Sequence, residues 1–176
     1  MKNAIYVLIF VVIIFGCNEQ KTHVLQETEV NKVQEKSLSI DFKFKTSEAD
    51  EFKIMMNNIK VDEFQKKNIQ IVENVIPSTI EDKIVAKFDP NNISKQVVIS
   101  LGNKVEKEVT INSILISYGD KHFNLKSPED FNANLLFNKF IVRDSSSNTL
   151  TTKRIDGKLN PTFRIKNSLI NQLQSE

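Results

Sequence analysis

Residues 38 to 45 read Leu-Ser-Ile-Asp-Phe-Lys-Phe-Lys, an unbroken alternation that gives Leu38, Ile40, Phe42 and Phe44 one parity and Ser39, Asp41, Lys43 and Lys45 the other. Successive side chains of a strand point to opposite faces, so this stretch is a strand with four apolar residues on one sheet face. A helix would scatter the same four around its axis. Outward from it the same texture recurs over 51–56, 68–75, 83–88, 96–101 and 109–118, each run bounded by turn-rich residues such as Asp89-Pro90-Asn91-Asn92 and Gly102-Asn103. In the last run the apolar set is Val109 and Ile111, then Ile114, Ile116 and Tyr118. The phase slips by one at Asn112-Ser113, which predicts a bulge there.

Ser127-Pro128-Glu129-Asp130 has the order of an N-cap, a proline at the first helical position and acids in the first turn, with Asp130 placed to close a capping box. It predicts one short helix running to about Phe137, with Phe131, Leu135 and Phe137 packed over one end of the sheets. Beyond it come a strand over 139–143, a Ser/Asn loop over 145–148, and a hairpin-like pair over 149–155 and 162–165 about Asp156-Gly157. The tail, 168–173, fits either a strand or a helical turn. Roughly ten short strands with no run of helices between them imply two packed sheets. The expected fold is an all-β, antiparallel two-sheet β-sandwich of jelly-roll type, over residues 37–176.

The chain opens differently. Met1-Lys2-Asn3 is short and positively charged, and residues 4–15 (AIYVLIFVVIIF) form an apolar run that stops at Gly16-Cys17. As a helix the run covers about 18 Å, short of the roughly 30 Å hydrocarbon thickness, so it reads as a cleaved secretory signal over residues 1–16 and not as a permanent span. Cys17 is the one cysteine of the chain. The context Ile14-Phe15-Gly16-Cys17 resembles a bacterial lipobox, with Phe15 where such patterns usually carry a small residue. The resemblance implies a lipoprotein precursor that is cut before Cys17 and acylated on its sulfur. Two or three acyl chains hold a protein at a bilayer where one gives only marginal binding. Asn18, where an aspartate would imply inner-membrane retention, points to the outer membrane. Residues 17–36 are then the lipidated cysteine and a polar, Gln/Glu/Lys-rich tether, in which His23 has no companion.

The middle of the chain, from DFKFKTSEADEFKIMM through VVISLGN to VTINSILISYG within residues 38–142, resembles the galactose-binding-like and carbohydrate-binding β-sandwiches of secreted bacterial proteins. The likeness lies in strand order and hydrophobic texture, and it implies a fold but no site residue.

The 176 residues carry 24 Lys+Arg against 22 Asp+Glu, a net charge of +2 that offers no cationic field for nucleic acid. His122, in the turn Tyr118-Gly119-Asp120-Lys121-His122, stands without the nucleophile motif or the His/Cys cluster that a triad or a zinc site needs. Asp89 with Asn91 is an oxygen-ligand candidate for calcium that reads more simply as a turn. The acid pairs Asp50-Glu51, Asp62-Glu63, Glu81-Asp82 and Glu129-Asp130 read as solvated loop residues. No metal, cofactor or catalytic constellation is expected, and the chain is not read as an enzyme. Past residue 16 there is no Trp and one Tyr, Tyr118, against the aromatic platform that sugars commonly use. Arg143, Arg154 and Arg164 are close in sequence, and their forked donors form a candidate anion clamp with Tyr118. These features point to a membrane-anchored binding module for a glycan or other envelope ligand, or alternatively to an assembly lipoprotein that docks on a membrane-protein partner.

Overall fold

The computed structural model describes residues 36–57, 68–90 and 96–175. The expected signal, Cys17, most of the expected tether with His23, Asp62-Glu63 and Asn91 lie outside them. In chain order the elements are β1 (Leu38–Thr46), β2 (Asp50–Asn57), β3 (Asn68–Val75), β4 (Asp82–Lys87), β5 (Gln96–Ser100), β6 (Glu108–Tyr118), β7 (Lys121–Leu125), α1 (Pro128–Asn134), β8 (Leu135–Phe137), β9 (Ile141–Arg143), β10 (Thr149–Thr152), β11 (Thr162–Ile165) and α2 (Asn167–Gln174). Among the described residues these strands make two antiparallel sheets. Sheet A runs β4-β1-β6-β10-β9, with β7 also on β6, and sheet B runs β3-β2-β5-β11-β8. An all-β sandwich is therefore the observed class.

The alternation at 38–45 does what its pattern dictates. Leu38, Ile40, Phe42 and Phe44 are buried while Ser39, Asp41 and Lys43 are only partly covered. Phe42 and Phe44 stack with ring centroids 4.7 Å apart, and from sheet B Phe52 meets Phe44 at 5.1 Å and Phe163 meets Phe42 edge-on at 6.0 Å. This phenylalanine cluster joins the sheets, and each fully buried ring contributes roughly 1.5–3 kcal/mol of hydrophobic stabilisation. The expected bulge is present. Lys43 of β1 faces Ser113 of β6, but Phe44 faces Ile111, which leaves Asn112 as the extra residue. Val109, Ile111, Ile114 and Ile116 are all buried as a result.

Three expectations need correction. The helix ends at Asn134, and Leu135–Phe137 is a strand, because Leu135, Leu136 and Phe137 pair with Ile165, Arg164 and Phe163 of β11. Asn134 Nδ2 donates to the Asp130 carbonyl at 2.9 Å and Lys166 Nζ to the Ala133 carbonyl at 2.7 Å, so carbonyls of the helix are satisfied where it stops. Second, the turn at Asp156-Gly157 forms, with Ile155 bridged to Lys158, but it does not make a hairpin. β10 pairs with β6 and β9 in sheet A, while β11 pairs with β5 and β8 in sheet B. Third, Asp50 is not a solvated loop acid. It is buried at the start of β2. The tail, left open above, is helical: α2 buries Leu169, Ile170 and Leu173.

Candidate functional site

The outer face of sheet A carries a concavity of about 490 Å³ lined by Lys36, Ser37, Ser39, Val85, Lys87, Ser117, Gly119 and Asp120. Strand register builds its floor. Ser39 of β1 faces Lys87 of β4 on one side and Ser117 of β6 on the other, and Ser117 faces His122 of β7. Directly opposed residues of an antiparallel pair are roughly 5 Å apart, so Lys87, Ser39 and Ser117 form a polar row about 10 Å long. The wall is the β6–β7 turn with Asp120, closed by Lys36 and Ser37 where the chain enters β1. Gly119 adopts φ +62°, and a Cβ there would lie 3.1 Å from Lys36 Cγ. A glycine at this turn lets the Lys36 stem lie against it.

The lining side chains are chemically unengaged. Lys36, Ser37, Ser39, Lys87, Ser117 and Asp120 make no side-chain hydrogen bond or ion pair among the described residues. Elsewhere on the same sheet two lysines are matched, with Lys43 Nζ 3.4 Å from Glu81 and Lys83 Nζ 3.9 Å from Asp41, whereas Lys45 of β1 has no ion pair among the described residues. Val85 adds an apolar surface that is 54% exposed. The groove is thus lined by two lysines and three serines without side-chain partners among the described residues, beside one aspartate and one apolar residue.

A second concavity of about 260 Å³ lies on the outer face of sheet B, lined by residues that include Lys53, Met55, Ser100, Asn103 and Thr162. Its polar groups are more committed. Lys53 Nζ pairs with Glu51 at 2.8 Å, and Thr162 Oγ1 accepts from Asn138 Nδ2 at 2.8 Å.

The residues singled out in the sequence are not brought together on one ligand position. Tyr118 is partly buried against the core margin, next to Ser117 but not lining the groove. Arg143 holds its own neighbourhood: its guanidinium donates to the Ser147 carbonyl at 3.0 Å, the Pro128 carbonyl at 3.0 Å and Asn132 Oδ1, over the rings of Phe137 and Phe131 at 5.3 and 5.8 Å. Burial pushes its pKa down, against the opposing pull of Asp144 and Glu129. Arg154 donates to the Lys104 carbonyl at 2.9 Å, and its backbone N–H to the Glu106 carboxylate. Arg164 is exposed on sheet B between Val98 and Leu136. The three arginines share no partner among the described residues. His122 and Asp89 are exposed, and no three His, Cys, Asp or Glu side chains converge as a metal set among the described residues. No described helix is long and apolar enough to cross a membrane.

The groove residues escaped sequence reading because the signal is two-dimensional. Serines 78 positions apart become neighbours only through the β1–β6 register. No protein-family model matches the chain, and neither the curated proteins nor the solved structures contain a match to it.

Proposed function

We propose that the chain is a lipid-anchored extracytoplasmic lipoprotein whose β-sandwich is a non-catalytic binding module for an envelope or extracellular ligand such as a glycan. The observation that carries the reading is the groove of sheet A, whose donors Lys36, Ser37, Ser39, Lys87 and Ser117 have no partner within the described fold. Hydroxyl-rich ligands need convergent donors and acceptors together with some apolar contact for the C–H face of a ring, and Val85 offers the latter. A volume of about 490 Å³ lies within the roughly 300–1,000 Å³ of ordinary small-ligand sites. The lipobox-like start supplies the expected anchor at Cys17, which holds the module at the outer membrane.

The test is an NMR titration of the mature chain in neutral detergent with fragments of envelope polysaccharides. Amide shifts at Ser39, Val85, Lys87 and Ser117 that saturate with ligand support the reading, whereas silence at these positions across the panel contradicts it. A second reading, docking on an envelope protein, draws on the edge of sheet B. There β3 pairs with β2 alone among the described residues, and Ile76 and Ile80, 68% and 75% exposed, follow it.

A further inference from the structure

We infer that the groove on sheet A takes an acidic saccharide, with the ligand's carboxylate held between Lys36 and Lys87 and its hydroxyls met by the serines and Asp120. This rests on the binding-module reading and adds the charge of the ligand. Three features of the groove carry it. Two lysines line one concavity and neither has an acid partner among the described residues, although Lys43 and Lys83 on the same face do. An unmatched pair of cations at one site attracts an anion, and a charge-assisted hydrogen bond is about twice as strong as a neutral one. The serine row then sets the second half of the ligand. Ser39 and Ser117 sit side by side next to Lys87, so hydroxyl groups adjoining the anion on one molecule meet hydroxyls adjoining the ammonium on the floor.

Asp120 supplies the third feature. A carboxylate in a site meant for a bare anion would repel it, but a carboxylate accepts hydrogen bonds from sugar hydroxyls without conflict. One acid in a lining with two bases is the pattern for a ligand that carries both an anion and hydroxyl donors. Inorganic phosphate satisfies the lysines and leaves Asp120 opposed. A neutral sugar satisfies Asp120 and the serines and leaves the lysines without a counter-charge. Val85 lies in the same lining, where the apolar face of a ring can cover it.

The experiment titrates the mature chain in neutral detergent with trigalacturonate, with its fully methyl-esterified counterpart, and with inorganic phosphate, followed by the amides of Ser39, Lys87 and Ser117. Trigalacturonate is expected to bind at least ~10-fold tighter than the ester, and to weaken several-fold between 50 and 500 mM NaCl as screening shortens. Lys87→Gln, an exposed position that leaves the core untouched, is expected to weaken it roughly 3- to 10-fold without changing the circular dichroism spectrum. Equal, salt-insensitive binding of acid and ester overturns the charge assignment while the binding-module reading stands. Phosphate binding as tightly as trigalacturonate overturns the saccharide assignment. No shift at the groove with any of the three overturns the inference, and silence across the polysaccharide panel as well removes the reading beneath it.

Discussion

Asp50 and Lys107 form an ion pair with no solvent exposure of either side chain, Nζ to Oδ2 at 2.5 Å. Further hydrogen bonds hold both groups. Oδ1 accepts from the Glu51 N–H at 2.7 Å, Oδ2 also from the Lys104 N–H at 3.0 Å, and Nζ donates to the Leu101 carbonyl at 2.9 Å. Gly102 is pressed onto the pair: at φ +79° its Cβ would fall 2.2 Å from the Asp50 carboxyl carbon, so no other residue fits without displacing the carboxylate. Removing one partner strands a buried charge, whereas replacing both with apolar groups removes the desolvation penalty too. Lys107→Met is expected to lower unfolding free energy by about 3–5 kcal/mol, and Asp50→Leu with Lys107→Met to recover most of it, as measured by urea unfolding. Burial pushes the Asp50 carboxyl up, but the Lys107 hydrogen bond, the two N–H donors and the Lys107 charge outweigh it and leave the pKa below the ordinary value. A depressed carboxylate stabilises the fold fully above about pH 4 and loses that contribution as pH falls through its folded value. Stability should therefore drop below about pH 4, less steeply in the double variant. None of this was legible from residue type. An Asp-Glu dipeptide and a lysine in a loop look solvated until the register buries them.

At the scale of elements, patterns that depend on local chemistry were readable and patterns that depend on pairing were not. The Ser127 cap forms as its residues dictate: Ser127 Oγ accepts from the Asp130 N–H at 3.2 Å while Asp130 Oδ2 accepts from the Ser127 N–H at 3.0 Å. N–H groups of Lys126 and Ser127 hold the Asp130 carboxyl below the usual range. Ser127→Ala should cost about 1 kcal/mol in the same unfolding assay. The bulge of β6 was equally legible, because two apolar runs of opposite parity cannot share a face without one extra residue. Deleting Asn112 puts one of those runs on the wrong face and is expected to cost about 3 kcal/mol or more, from exposure of Val109 and Ile111. Asn112→Ala keeps the extra residue, losing only the exposed 2.7 Å hydrogen bond to Glu81, and should stay within about 1 kcal/mol of the parent chain. By contrast, β8 was hidden at the end of a helix whose apolar residues fit either periodicity. The strands on either side of Asp156-Gly157 looked like a hairpin because the turn residues say nothing about which sheet each strand joins.

For the whole molecule, the alternation at 38–45 and its repeats were enough to read a two-sheet antiparallel sandwich, since a strand with one apolar face must bury it against another layer. The groove of sheet A was not readable in the same way. It is written in outward-facing serines and lysines, which in sequence are indistinguishable from ordinary solvated positions. The late arginines, which stood out in sequence, serve separate neighbourhoods of the fold. An anchor changes what a groove of modest affinity achieves, because a tethered module samples its surroundings at a high effective concentration. The proposed anchoring depends first on Cys17. Intact mass and detergent partitioning of the protein from its native membranes, beside a Cys17→Ser variant, is the direct measurement. The account predicts a chain that begins at Cys17, carries acyl mass, stays with the membrane and leaves it on substitution; an unmodified, soluble chain would contradict it and leave a diffusible β-domain in its place.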